Sequence, residues 1–228
     1  NGHQVRILTR EKEVQHPFYN WNIDKIDEKV FFILYGIIHL AGASISKRWT
    51  KSYKKEILNS RVDTANLLYK YVEKLKPKLK FFISASGTAY YGQITSDKIF
   101  TENDAPHNDF LGSICVDWEN AAYQFQDFDA RVVCLRTSLV LAKQGEGFKL
   151  LKKPIQMGVG ANLGNGKQWL PWIHLDDLVQ MYVDAVENST INGSYNASSP
   201  EMINHTTFNH ILAKKLNKPF FMPNIPSF

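Results

Sequence analysis

Residues 84–92 read "SASGTAYYG" and follow directly on the apolar run Phe81-Phe82-Ile83. A strand that only fills a core ends in the turn chemistry of Gly, Asn, Asp or Pro. Here small hydroxyl residues and two adjacent phenols gather where the strand leaves the core. In an open α/β sheet, ligands bind outside the carboxyl ends of the strands. The stretch is therefore a candidate site if the rest of the chain builds such a sheet.

Outward from that strand (80–84), apolar runs alternate with helical patterns. Residues 4–8 form an opening strand, and a polar, weakly patterned stretch follows to about residue 28. Residues 36–40, "GIIHL", predict the next strand, ending at Ala41-Gly42. Thr50 is placed to cap a long helix through Lys74, with Ile57, Val62, Ala65, Leu68 and Val72 on its apolar face. A helix over 111–126 puts Cys115, Trp118, Ala122 and Phe125 on one side, and 131–135 returns as a buried strand. Residues 144–168 read as irregular and 172–174 as a short strand. Asp176 caps a helix over 176–187, with Asp177 favourable at its positive end. Residues 194–197 make a last strand. Asn204 caps a helix carrying Phe208, Ile211, Leu212 and Leu216. This alternation predicts an α/β fold: a doubly wound parallel sheet, helices on both faces, right-handed crossovers.

The 228 residues suit one large α/β domain or one domain plus an appendage, and 44% hydrophobic content supports a substantial core. No apolar run has the length of a membrane span, and no signal-peptide pattern opens the chain. Cys115 and Cys134 offer neither a disulfide framework nor metal spacing, so a reduced, cytoplasmic protein without a metal is expected. The net charge of +5 is modest. Its lysines fall in helix-like stretches such as "KSYKKE", a solvated face and not a nucleic-acid patch.

Six segments occur in order: "HLAGASISKRW", "SASGTAYYG", "FLGSICVDWENAA", "VVCLRTSLVLA", "GNGKQWLPWIHLDDL" and "YNASSPEMINHTTF". Together they resemble the atypical, extended-type short-chain dehydrogenase/reductases of the nucleoside-diphosphate-sugar epimerase-like family, over essentially the whole chain. The resemblance implies a Rossmann-type NAD(P)-binding domain over 1–198, with an insertion at 144–172 on the substrate side. Residues 199–228 would begin a small C-terminal α/β lobe. The family's first strand, Gly-rich turn and helix have no counterpart here, because "NGHQVRILTR" resembles the end of that helix and the second strand. The chain thus reads as part of a longer protein.

Site residues follow from position and resemblance together. Arg10 comes just after the second strand, where an acidic residue would hold the ribose hydroxyls of NAD and an arginine meets the 2′-phosphate of NADP. NADP is the expected cofactor. Leu40, Ala41 and Gly42 end a strand with little bulk, so backbone can approach the cofactor there. The resemblance adds Ser84, Thr137 and Leu139 to the cofactor side. It makes Ser86 the hydroxyl that polarises a substrate carbonyl and Tyr91 the phenol of a "YG" pair.

Most catalytic relatives carry Tyr-x-x-x-Lys at the start of the next helix. Counting back from Glu119, those positions hold Leu111 and Cys115, neither of which can exchange the proton or fix the charge. Cys115 reads as a small buried hydrophobe. The segment "GANLGNGKQWLPW" (160–172), with Gln168 and Trp169, reads as a loop that closes over a ligand. Arg48 and Trp49 are further substrate candidates, a cation and an aromatic face suited to a planar, anionic ligand. An aromatic packing cluster is the alternative.

Two functions stay open. One is an NADP-binding oxidoreductase or epimerase-like protein acting on a small molecule, with nucleotide sugars among the candidates. The other is a non-catalytic NADP-sensing module that binds a partner.

Overall fold

The structure is a computed structural model and describes residues 2–9, 18–22 and 25–225. It divides into two compact units. The first comprises Asn1–Ala85, Val116–Cys134 and Ala185–Gly193; the second comprises Ser86–Cys115, Leu135–Asp184 and Ser194–Phe228.

In the first unit, β1 (Ile7–Thr9) pairs in parallel with β2 (Phe18–Asn22), which pairs antiparallel with β3 (Lys25–Ile26). The opening strand therefore begins at Ile7, three residues later than its apolar pattern implies. After β4 (Gly36–His39) comes α1 (Lys51–Leu75). The Tyr53 N–H donates to Thr50 Oγ1 at 3.1 Å, the cap that the sequence predicts. The helix ends at Lys76 in the left-handed region (φ 47°), ahead of Pro77.

β5 (Phe81–Gly87) pairs in parallel with β4, in register Gly36↔Phe81 to His39↔Ser84. It continues three residues beyond the expected end at 84, so Ser86 is a strand residue. α2 (Phe110–Tyr123) and β6 (Arg131–Thr137) follow. Ile57, Ala65, Leu68 and Val72 of α1 are buried as expected. Phe82 stacks on Phe125 with ring centroids 3.7 Å apart, at the centre of this core. Cys115, Trp118 and Ala122 are all buried on α2, and Cys115 and Cys134 form no disulfide with each other.

The second unit adds β7 (Leu139–Leu141), α3 (Glu146–Gln156), β8 (Trp172–His174), α4 (Leu175–Glu187), β9 (Gly193–Ala197) and α5 (His205–Lys215). β7 pairs in parallel with β8. The helix α3 corrects the irregular reading of 144–168. Phe148, Leu151 and Ile155 recur at helical spacing and pack with Phe208, Leu212 and Ala213. Pro154 and the flanking glycines masked that signal.

Two smaller corrections concern helix ends and faces. α4 starts at Leu175, so Asp176 lies inside it and is not its cap. The His174 ring does that work instead, Nδ1 accepting the Asp176 N–H at 3.3 Å. On α5 the Asn204 cap holds, its Oδ1 accepting from the Thr207 N–H at 2.8 Å, but Ile211 is exposed. The buried face is Phe208 and Leu212, with Leu216 packed beside them.

The main sheet has the order β4-β5-β6-β9. With parallel pairs and five α-helices among the described residues, the chain has an α/β, Rossmann-type fold. Among the described residues, no helix is long and apolar enough to cross a membrane.

Candidate functional site

In the first unit, the register His39↔Ser84 sets the carboxyl end of β4 beside Ser84, three residues before β5 ends. The chain leaves β4 through Leu40, Ala41 and Gly42, of which Leu40 and Gly42 are exposed. At Gly42 a Cβ would lie 3.0 Å from the Arg61 guanidinium carbon, so the arginine packs against bare backbone. Arg61 donates to Ile57 O at 2.8 Å and to Ala43 O at 3.1 Å, and lies 4.8 Å from the Trp118 ring centroid. Small residues, exposed backbone and a nearby cation form a strand end that fits the phosphate-bearing side of a dinucleotide.

Beneath this end lies a polar centre that sequence reasoning missed. His39, 3% exposed, accepts at Nδ1 from the Trp118 indole N–H at 3.3 Å, which leaves Nε2 to donate to Thr64 Oγ1 at 2.7 Å. Burial, with the Arg61 charge beside it, lowers its pKa from 6.5 to about 4, so the ring is neutral. Within "GIIHL" nothing separates this histidine from an ordinary strand residue. Ser84 is fully buried and donates to Ala85 O at 2.9 Å. Arg48 is exposed, and the Trp49 indole donates to Ile45 O at 2.9 Å. Arg10 lies outside the described residues.

In the second unit, Ser86 is buried near the end of β5, and the turn Thr88–Tyr91 follows. Tyr91 is buried as well. Its hydroxyl donates to Asn196 Oδ1 at 2.7 Å and accepts from Arg136 Nη1 at 2.8 Å. Burial pushes the phenol's pKa up, and the bonds from Arg136 and Asn196 only partly oppose this. The phenol is therefore protonated near neutrality.

Arg136 is buried on β6, and its guanidinium carbon lies 3.5 Å from the Tyr90 ring centroid. It also donates to Glu102 O at 3.2 Å. Glu102 Oε1 in turn accepts the Asn196 N–H at 2.8 Å. The signal for Arg136 was present: a charge inside "VVCLRTS" must find partners if that strand is buried.

At the N-terminus of α2, Asp109 accepts the N–H groups of Gly112 (2.7 Å) and Gln93 (3.1 Å), and His107 Nδ1 lies 3.1 Å from its Oδ2. This pair also went unnoticed in the sequence. Leu111 and Cys115 are both buried. Thr137 donates to Leu135 O at 3.1 Å, and Leu139 opens β7 opposite Trp172.

The 160–168 loop is a packed structure. The Asn209 amide donates to Asn162 Oδ1 at 3.0 Å and approaches His205 Nδ1 at 3.2 Å, all three residues being buried. Gly166 has φ 71°, and a Cβ there would strike Thr206 Oγ1. Gln168 donates to Leu163 O at 3.0 Å, and the half-exposed Trp169 donates to Asp97 Oδ1 at 3.3 Å.

Comparison with known proteins places this fold in a class. The sequence profile of the NAD dependent epimerase/dehydratase family matches residues 1–198. The chain belongs to that family. Epimerase family protein SSP1921 of Staphylococcus saprophyticus is 33% identical over 221 residues, covering 94% of this chain and 73% of that protein. The crystal structure of human epimerase family protein SDR39U1 (isoform 2) with NADPH superposes with a TM-score of 0.85 at 27% identity, over 98% of this chain and 75% of that one. The nucleoside-diphosphate sugar epimerase from Corynebacterium glutamicum gives 0.81 at 30% identity, over 98% of this chain and 48% of that one.

Proposed function

We propose that the protein binds NADP in preference to NAD and acts as an epimerase-like oxidoreductase on a small molecule of the nucleotide-sugar class. The observation that carries this reading is the carboxyl end of β4 beside β5, where His39 sits opposite Ser84 and the low-bulk segment 40–42 follows. Family membership and the NADPH of the human relative support it. A bound nicotinamide would supply reversible hydride acceptance at a carbinol carbon.

To the first unit we assign the cofactor residues Arg10, Leu40, Ala41, Gly42 and Ser84, with Arg48 and Trp49 toward substrate. To the second we assign Thr137 and Leu139 toward cofactor, Gln168 and Trp169 toward substrate, and Ser86 and Tyr91 at the reacting oxygen. Residues 199–228 would begin a small further lobe. Calorimetric titration of the full-length protein with NADPH and NADH tests the reading, followed by turnover of UDP-glucose and UDP-glucuronic acid. Equal affinity for the two cofactors would remove the NADP preference.

A second reading, a non-catalytic NADP-sensing module, draws on one observation. The resemblance puts the Tyr and Lys positions at Leu111 and Cys115, which are both buried, while the Tyr91 hydroxyl is engaged on both sides. Tight cofactor binding without turnover would favour it.

A further inference from the structure

We propose that His107, oriented by Asp109, is the proton-transferring residue of this protein; the proposal rests on the oxidoreductase reading above. The resemblance puts the usual acid–base tyrosine at Leu111, which is buried, and the Tyr91 hydroxyl, already bonded to Arg136 and Asn196, would orient the reacting oxygen and not carry its proton. His107 stands four residues before Leu111, in the same segment, with its side chain 42% exposed. Imidazole is the side chain suited to give and take a proton near neutrality.

The pair is built to hold one ring orientation. Asp109 is fixed by the N–H groups of Gly112 and Gln93. Its burial alone would raise the carboxyl's pKa, but those two bonds and His107 outweigh burial and hold it below the usual range. An ionised Asp109 accepts at Oδ2 from His107 Nδ1, 3.1 Å away, so the neutral ring carries its proton on Nδ1 and its lone pair on Nε2. The His107 N–H donates to Tyr90 O at 2.8 Å. Its ring lies against Gly92, where a Cβ would come 2.5 Å from His107 Cγ. The imidazole is thus pinned beside the turn that ends the Ser86–Tyr91 stretch.

With a nicotinamide bound as hydride acceptor, Nε2 would take the substrate's hydroxyl proton as its O–H bond breaks, and the hydride on the same carbon would go to the cofactor. This would leave a carbonyl and an imidazolium; the reverse step would return both hydrogens.

Two readouts on the full-length protein test this. Without any ligand, ¹⁵N NMR of the His107 ring at pH 8 should show a protonated Nδ1 and a bare Nε2; a protonated Nε2 would overturn the proposal. With NADP⁺ and UDP-glucose or UDP-glucuronic acid as probes, His107→Gly should lose about 10²–10⁴-fold in kcat. NADPH affinity should not change, and imidazole in solution should restore part of the rate. Wild-type kcat in His107→Gln would overturn this inference and leave the oxidoreductase reading standing. Absence of turnover by wild type with NADPH binding intact would remove that reading and this one together.

Discussion

Arg136 Nη1 donates to the Tyr91 hydroxyl at 2.8 Å, and the same guanidinium lies over Tyr90, 3.5 Å from its ring centroid. One buried cation thereby serves both phenols of the "AYY" stretch.

Removing that hydroxyl leaves Arg136 and Asn196 each short of a partner inside the unit. Hydrogen bonds to charged groups contribute about 1.5–3 kcal/mol. Tyr91→Phe should therefore lower the unfolding free energy by about that amount, read from the urea midpoint at constant slope. A midpoint equal to wild type would mean that water replaces the hydroxyl.

The neutral His39 makes stability fall with acid. Its folded pKa of about 4 lies below the unfolded 6.5, so between these values the unfolded chain binds more protons. The favourable contribution is complete above pH 6.5 and is lost as pH falls toward 4. At 1.36 kcal/mol per pKa unit this comes to about 3 kcal/mol. In His39→Gln the slope of stability against pH across that window should flatten. An unchanged slope would place the effect on other groups.

Gly92 has φ 89°, and a Cβ there would meet the His107 ring at 2.5 Å. Backbone in that region is nearly exclusive to glycine and costs other residues about 1–3 kcal/mol. Gly92→Ala should destabilise by at least that much and displace the His107 imidazole resonances. Wild-type spectra in the variant would show that the turn relaxes freely.

Arg10→Ala should weaken NADPH binding by about 10–100-fold while leaving NADH binding almost unchanged, the consequence of losing one charge-assisted phosphate contact. Isothermal titration of both cofactors against both proteins decides it. Parallel losses for NADPH and NADH would remove the 2′-phosphate assignment.

What was legible in the sequence depended on how far a residue's role is local. Thr50 and Asn204 cap α1 and α5 because a cap is a property of four adjacent residues. The β4 and β5 strands showed as apolar runs. The end of β5 did not, since Ser86 and Gly87 look like turn residues after the apolar run, yet belong to the strand. α3 hid behind Pro154 and the glycines around it.

Contacts over long sequence separation were the least readable. His39 meets Trp118 across 79 residues and Tyr91 meets Asn196 across 105, and neither spacing repeats a pattern. Arg136 was an exception in principle, because a lone charge in an apolar strand predicts a partner without saying which one.

Among the described residues β9 ends the order of the main sheet, and its Asn196 N–H is taken by Glu102 Oε1 at 2.8 Å. The exposed rim of a sheet is a template on which another chain can add a strand. A carboxylate seated on that rim occupies a donor such a strand would need and confronts it with a negative charge. Glu102 thus serves two places at once, its carbonyl helping to hold Arg136 beside Tyr91 and its carboxylate occupying a backbone donor of β9.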